Sequence, residues 1–194
     1  MTSDAELKRE AQETLILLVL GSVHDKNDKK ISILHLEKEV FILWNFHSLI
    51  KELINFIAYY KGPYSSEIRD IIINPMYFTD SWEYITPERK DKLSGGYVIL
   101  TEQGVNKYKQ CYKSILKDND LHSLLAGIKI VRTLYGDLTD EELLLLIYDT
   151  YPKYIKKSEV ANDIYMNRTV LSKRLYERGI ISEEKAKYLQ NAVW

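Results

Sequence analysis

The residues of this chain that could do chemistry are cations arranged to meet an anion, rather than groups arranged to break a bond. Ser66 and Arg69 lie in SSEIRDIII, Arg89, Lys90 and Lys92 in PERKDKL, and Arg168, Thr169, Lys173, Arg174 and Arg178 in NRTVLSKRLYERG. Arg can meet guanine with two parallel hydrogen bonds, and Lys neutralises a phosphate as a point charge; together these residues predict contacts to double-stranded DNA. Catalytic patterns are missing. His24, His35, His47 and His122 are scattered, with no H-E-x-x-H, no G-x-S-x-G and no glycine-rich phosphate loop. The sequence is therefore read as that of a non-enzyme with no cofactor, no metal and no catalytic residue. HDKNDKK offers Asp25, Asn27 and Asp28 as in a calcium loop, but Lys30 and Leu36 stand at the loop's sixth and twelfth positions, which rejects it. Cys111 has no cysteine partner and is read as an incidental thiol.

Charge supports this reading only locally. The formal net charge is −1, with 27 Lys and Arg against 28 Asp and Glu. Residues 1–120 are net −2, residues 121–150 net −3 and residues 151–194 net +4, so the positive end is the C-terminal one. With 45% hydrophobic residues the chain can bury a core, and its single cysteine predicts a reducing, cytoplasmic compartment. The one dense N-terminal apolar run, TLILLVL, is far too short to span a bilayer and follows acidic residues; no membrane association is expected.

The elements that must position these cations are mostly helices. The pattern predicts helices over about 4–20, 33–46, 48–60 and 65–73, two short strands WEYI and YVIL around a polar loop, and a helix opened by Thr101. Further helices are expected over 121–134, 140–148, 159–165, 168–178 and 183–191, with Thr139 and Glu142 as a capping box and LLLLIY buried on all sides. Helices, then a hairpin, then another helix is the order of a winged helix-turn-helix. The predicted fold is mainly α with a small β-hairpin: a winged-helix domain over 1–118 and a helical extension over 119–194.

Two motifs carry resemblances. YVILTEQG looks like the Y-x-L-T-x-x-G signature that closes the wing in many prokaryotic winged-helix regulators, with Tyr97, Ile99 and Leu100 expected to reach the core and Thr101 to cap the returning helix. YYKGPYSSEIRD resembles the G-P-Y-S turn of prokaryotic winged-helix proteins related to the Panacea domain, found in some antitoxins; the likeness extends over about residues 12–155. It implies a winged-helix fold and a regulatory or antitoxin-like role without an enzymatic activity. EVANDIYMNRTVLSKRLYERGII is similar to a bacterial helix-turn-helix, with Tyr165, Met166 and Asn167 as the turn, although Tyr165 stands where glycine is usual.

The leading expectation is a DNA-binding, transcription-regulator-like protein, with a homodimer or partner surface built from helix 140–150 and neighbouring tyrosines. The alternative is a non-enzymatic protein-interaction module such as an antitoxin. Against DNA reading by the first domain stand Glu67 and Asp70 beside Arg69, and Glu88 and Asp91 at the wing tip.

Overall fold

The computed structural model describes residues 3–22, 30–91 and 93–192. It is mainly helical with a small antiparallel sheet. The described residues form two compact units: one holds 1–55 and 65–136, the other 56–64 and 137–194. The sequence reading placed its boundary at 118.

In the first unit, α1 (Asp4–Gly21) starts at a capping box in which the Ser3 hydroxyl accepts from the Glu6 amide and the Glu6 carboxylate accepts from the Ser3 amide. TLILLVL is buried as expected: Leu15, Ile16, Leu17, Leu18 and Val19 are at most 2% exposed. Strand β1 (Ile31–Ser32) leads into α2 (Ile33–Phe46), capped by Ser32. Short α3 (Ser48–Leu53) ends well before Tyr60. The predicted third helix is thus cut to six residues, because residues 57–64 instead fold as a hairpin, β2 (Ile57–Tyr59) and β3 (Gly62–Tyr64). Gly62 sits at φ +82, a turn conformation that no helix contains.

Helix α4 (Ser66–Ile73) is capped by Ser65 and buries Ile68, Ile71 and Ile72. Strands β4 (Trp82–Ile85) and β5 (Tyr97–Leu100) follow, then α5 (Glu102–Ile115) and α6 (His122–Tyr135). The sheet order is β1-β5-β4, all antiparallel, so the last strand lies between the first and the hairpin partner. Strand periodicity then places Val98 wholly inside, while Tyr97, Ile99 and Leu100 are only half-buried, which corrects the expected core set of this strand.

In the second unit, α7 (Asp140–Thr150) has the predicted Thr139 capping box and buries Leu143, Leu144, Leu145, Ile147 and Tyr148. Thr150 alone of its eleven residues is exposed, and Asp140, Glu141, Leu146 and Asp149 are half-buried. Helix α8 (Ala161–Glu177) runs without a break, followed by α9 (Glu183–Asn191), capped by Ser182. The expected turn at Tyr165, Met166 and Asn167 is the middle of α8. None of these residues needs or favours a left-handed backbone here, and the reversal comes instead at Gly179, φ +71, where the Gly179 and Ile180 amides bond back to the Tyr176 and Leu175 carbonyls. The second helix-turn-helix is therefore not formed as drawn. No described helix is long and apolar enough to cross a membrane.

Candidate nucleic-acid interface

The wing is built from its glycines outward. Gly95 and Gly96 have φ of +73 and +106, and a Cβ on Gly96 would lie 2.4 Å from the Tyr84 ring and 2.8 Å from the Ile85 carbonyl oxygen. Only glycine fits there. The same stretch is tied to α2: the Ile33 amide donates to the Gly96 carbonyl at 2.9 Å, and the Leu34 amide to Ser94 at 3.0 Å. At the other end of YVILTEQG, the Thr101 hydroxyl accepts from the Gly104 amide at 3.0 Å and donates to the Asp80 carbonyl. Gly104 is required by close approach, since a Cβ there would lie 1.9 Å from the Ser81 carbonyl oxygen.

The loop between the strands is organised by Asp91. Its carboxylate accepts from the Leu93 and Ser94 amides, from the Ser94 hydroxyl and, at 2.8 Å, from the Tyr97 hydroxyl. Partial burial alone would raise its pKa, but these four donors outweigh burial and pull it down to about 2. Asp91 stays charged, yet its lone pairs are spent inside the wing. Arg89 and Lys90, next to it, are exposed and form no ion pair with another described residue. Lys92 lies outside the described residues, as does the turn holding His24, Asp25, Asn27 and Asp28.

The acids that counted against α4 are also spent. Asp70 pairs with Arg9 at 2.7 Å and accepts from the Asn74 side-chain amide; these bonds, Asn74's first and Arg9's next, hold its pKa below the usual value. Glu67 accepts from the Asn55 side chain at 2.8 Å and the Ser65 hydroxyl at 2.9 Å. That leaves Ser66 exposed and Arg69 half-buried, with the Arg69 Nη1 atom 3.6 Å from where a Cβ on Gly95 would stand. Helix α4 and the base of the wing thus share Arg69. Lys30 joins them, its Nζ 4.4 Å from the centre of the Tyr97 ring. Sequence reasoning weighed Lys30 only as a failed calcium ligand; its place two residues before the Ser32 cap was the available signal.

Behind α4 stands a support that no motif announces. Glu13, 0% exposed, accepts from the Met76, Tyr77 and Phe78 amides and from Arg9 Nε, each within 3.1 Å. Arg9 also donates to the Asn74 carbonyl at 2.6 Å. One Arg-carboxylate pair on α1 therefore fixes both the C-terminal end of α4 and the chain leading to β4.

The basic residues of the second unit divide differently. Arg168 is folded back: its Nε donates to the Gln190 carbonyl at 3.1 Å, its Nη1 to the Tyr165 carbonyl at 2.9 Å, and its guanidinium lies 3.9 Å over the Tyr165 ring. Arg178 donates to the Asp137 carbonyl at 2.5 Å and lies 3.6 Å from Glu142, which is 0% exposed. Both were expected to project from the helix; both are fastened to their own unit. Thr169, Lys173 and Arg174 are exposed, with Lys173 3.7 Å from Glu177. Glu142 serves as cap and ion-pair partner. No protein-family model matches this chain, and no curated protein is similar enough to it to establish a relationship.

Proposed function

We propose that the first unit binds double-stranded DNA, with α4 addressing the groove and the wing addressing phosphates, in a transcription-regulator-like role. The observation that carries this reading is the division of charge around α4 and the wing. Asp70, Glu67 and Asp91 are taken up by internal partners, while Arg69, Arg89 and Lys90 form no ion pair with another described residue; of the four acids only Glu88 stays exposed without a side-chain partner among the described residues. Phosphate contacts position a protein and base-edge contacts specify sequence. Arg89 and Lys90 suit the first task, and Ser66 and Arg69 the second. Exposed Thr169, Lys173 and Arg174 on α8 supply a further phosphate-binding surface.

The test is fluorescence anisotropy of the full chain with a random-sequence duplex across a salt series. Binding is expected at low salt, with the logarithm of affinity falling linearly with the logarithm of salt concentration. Absence of binding at low salt contradicts the reading.

A second reading is supported by the hairpin of the second unit. Ile57, Tyr59 and Tyr60 are 57%, 39% and 49% exposed, and the Tyr59 ring packs 4.2 Å from Tyr60 and 4.8 Å from Tyr64. Rigid exposed tyrosines suit a protein partner or a second copy of this chain. Stoichiometric copurification of another protein, lost on Tyr60→Ala, would support an antitoxin-like module.

A further inference from the structure

A cleft in the first unit combines an apolar hollow with one that also carries polar groups. The apolar hollow, about 330 Å³, lies among α1, α3 and the ends of α5 and α6, with Leu7, Ala11, Leu15, Leu53 and Ile115 in its walls. A second hollow of about 520 Å³ shares Leu49 and Leu121 with it and is otherwise lined by Phe46, His47, Ser48, Asp120 and Ser123. The volumes suit a small ligand, and an apolar enclosure with a few polar groups at one end is the usual build of such a site.

The polar end selects the ligand's charge. Two carboxylates line the paired hollows, Glu10 in the first and Asp120 in the second, and no Lys or Arg lines either. Neither carboxylate is ion-paired with another described residue. Ser48 and Ser123 line the same hollow as Asp120, and the His47 Nε2 atom lies 3.2 Å from the Ser123 hydroxyl oxygen. The other ring nitrogen of His47, Nδ1, is shielded from solvent and has no hydrogen-bond partner among the described residues. The set is rich in acceptors and carries net negative charge.

We infer that this cleft binds a primary ammonium on an apolar chain. The ammonium offers three donors and no acceptor, matching the Asp120 carboxylate and the hydroxyls that line the same hollow. The chain passes the Leu49 and Leu121 wall into the apolar hollow, where burial of its methylenes drives binding. A carboxylate of the same length meets Asp120 with no cation to offset it, so it is rejected by charge rather than by size. The inference stands independently of the nucleic-acid reading.

The test is isothermal titration of the full chain with decylammonium, decanol and decanoate below their micellar concentrations. One decylammonium per chain is expected, bound at least about tenfold tighter than either competitor. Asp120→Asn, an exposed change on a short turn, should cut that preference by about fivefold or more while leaving decanol binding intact. Ala11→Trp should fill the apolar hollow and weaken all three, with circular dichroism confirming that the fold is kept. Decanoate binding as tightly as decylammonium, an unchanged preference in Asp120→Asn, or no decylammonium binding up to about 1 mM overturns the inference.

Discussion

The wing with α4 and the basic helix α8 make an instructive pair, because their sequences and their structures rank them in opposite order. By composition α8 is the cationic element, in a segment of net charge +4, and the wing tip is diluted by Glu88 and Asp91. In the folded chain, Arg168 on α8 and Arg178 just beyond its end are spent on carbonyls, a tyrosine ring and a buried glutamate. Around the wing, Asp91 is spent on four donors and Asp70 on Arg9 and Asn74, while Glu88 stays exposed. Net charge counts groups; binding depends on which groups still have donors to offer.

The sharpest way to break this comparison is to remove the support behind α4. Glu13→Ala leaves Arg9 without its buried partner and three amides uncapped, and should destabilise the first unit by about 3–5 kcal/mol, read by chemical denaturation.

A glycine pair comes next. Gly96→Ala must place a Cβ into the Tyr84 ring and a carbonyl at φ +106, and should cost about 2–4 kcal/mol in the same assay. Gly179→Ala meets nothing within 4 Å and pays only for its left-handed backbone, about 1 kcal/mol. Equal losses at the two sites would remove the claim that the wing is the more tightly built region.

Between these in kind but smaller in scope is Arg178→Ala. It strips buried Glu142 of its cation while the Thr139 cap remains, and should cost about 1–2 kcal/mol with little change in DNA affinity. A loss of affinity as large as that from a phosphate-binding residue would return Arg178 to the interface.

The mildest prediction concerns acid. Asp91 has a folded pKa of about 2, below its unfolded value of about 3.9. Its contribution is therefore complete above pH of about 4 and is lost as pH falls through about 2. The amide resonances of Leu93 and Ser94 should hold their positions above that window and shift within it; in Asp91→Asn the shift should vanish.

Much of the frame was legible in the sequence. Ser32, Ser65, Thr101, Thr139 and Ser182 all cap helices as their positions predict, whereas Ser158, also placed to cap, does not: α8 starts at Ala161 without a side-chain cap. WEYI and YVIL pair as expected. The readings that failed concerned places where a local pattern competes with a tertiary one. IAYYKGPY carries enough apolar residues for a helix, but Gly62 folds it into a hairpin. Residues 165–167 mimic a turn only by alignment, and without glycine the helix continues. The pairs of Arg9 with Asp70 and of Arg178 with Glu142 could not be read, since they join residues far apart in sequence.

The central claim is that the wing, rather than the more cationic helix, carries the larger share of DNA contact. Its most direct test is the salt dependence of random-duplex binding for Arg89→Ala/Lys90→Ala beside Lys173→Ala/Arg174→Ala. Each lost phosphate contact lowers the slope by about 0.9, so the wing pair should lower it by about 1–2 and the α8 pair by less than about 1. An unchanged slope in the wing pair, or a larger drop in the α8 pair, would contradict the account.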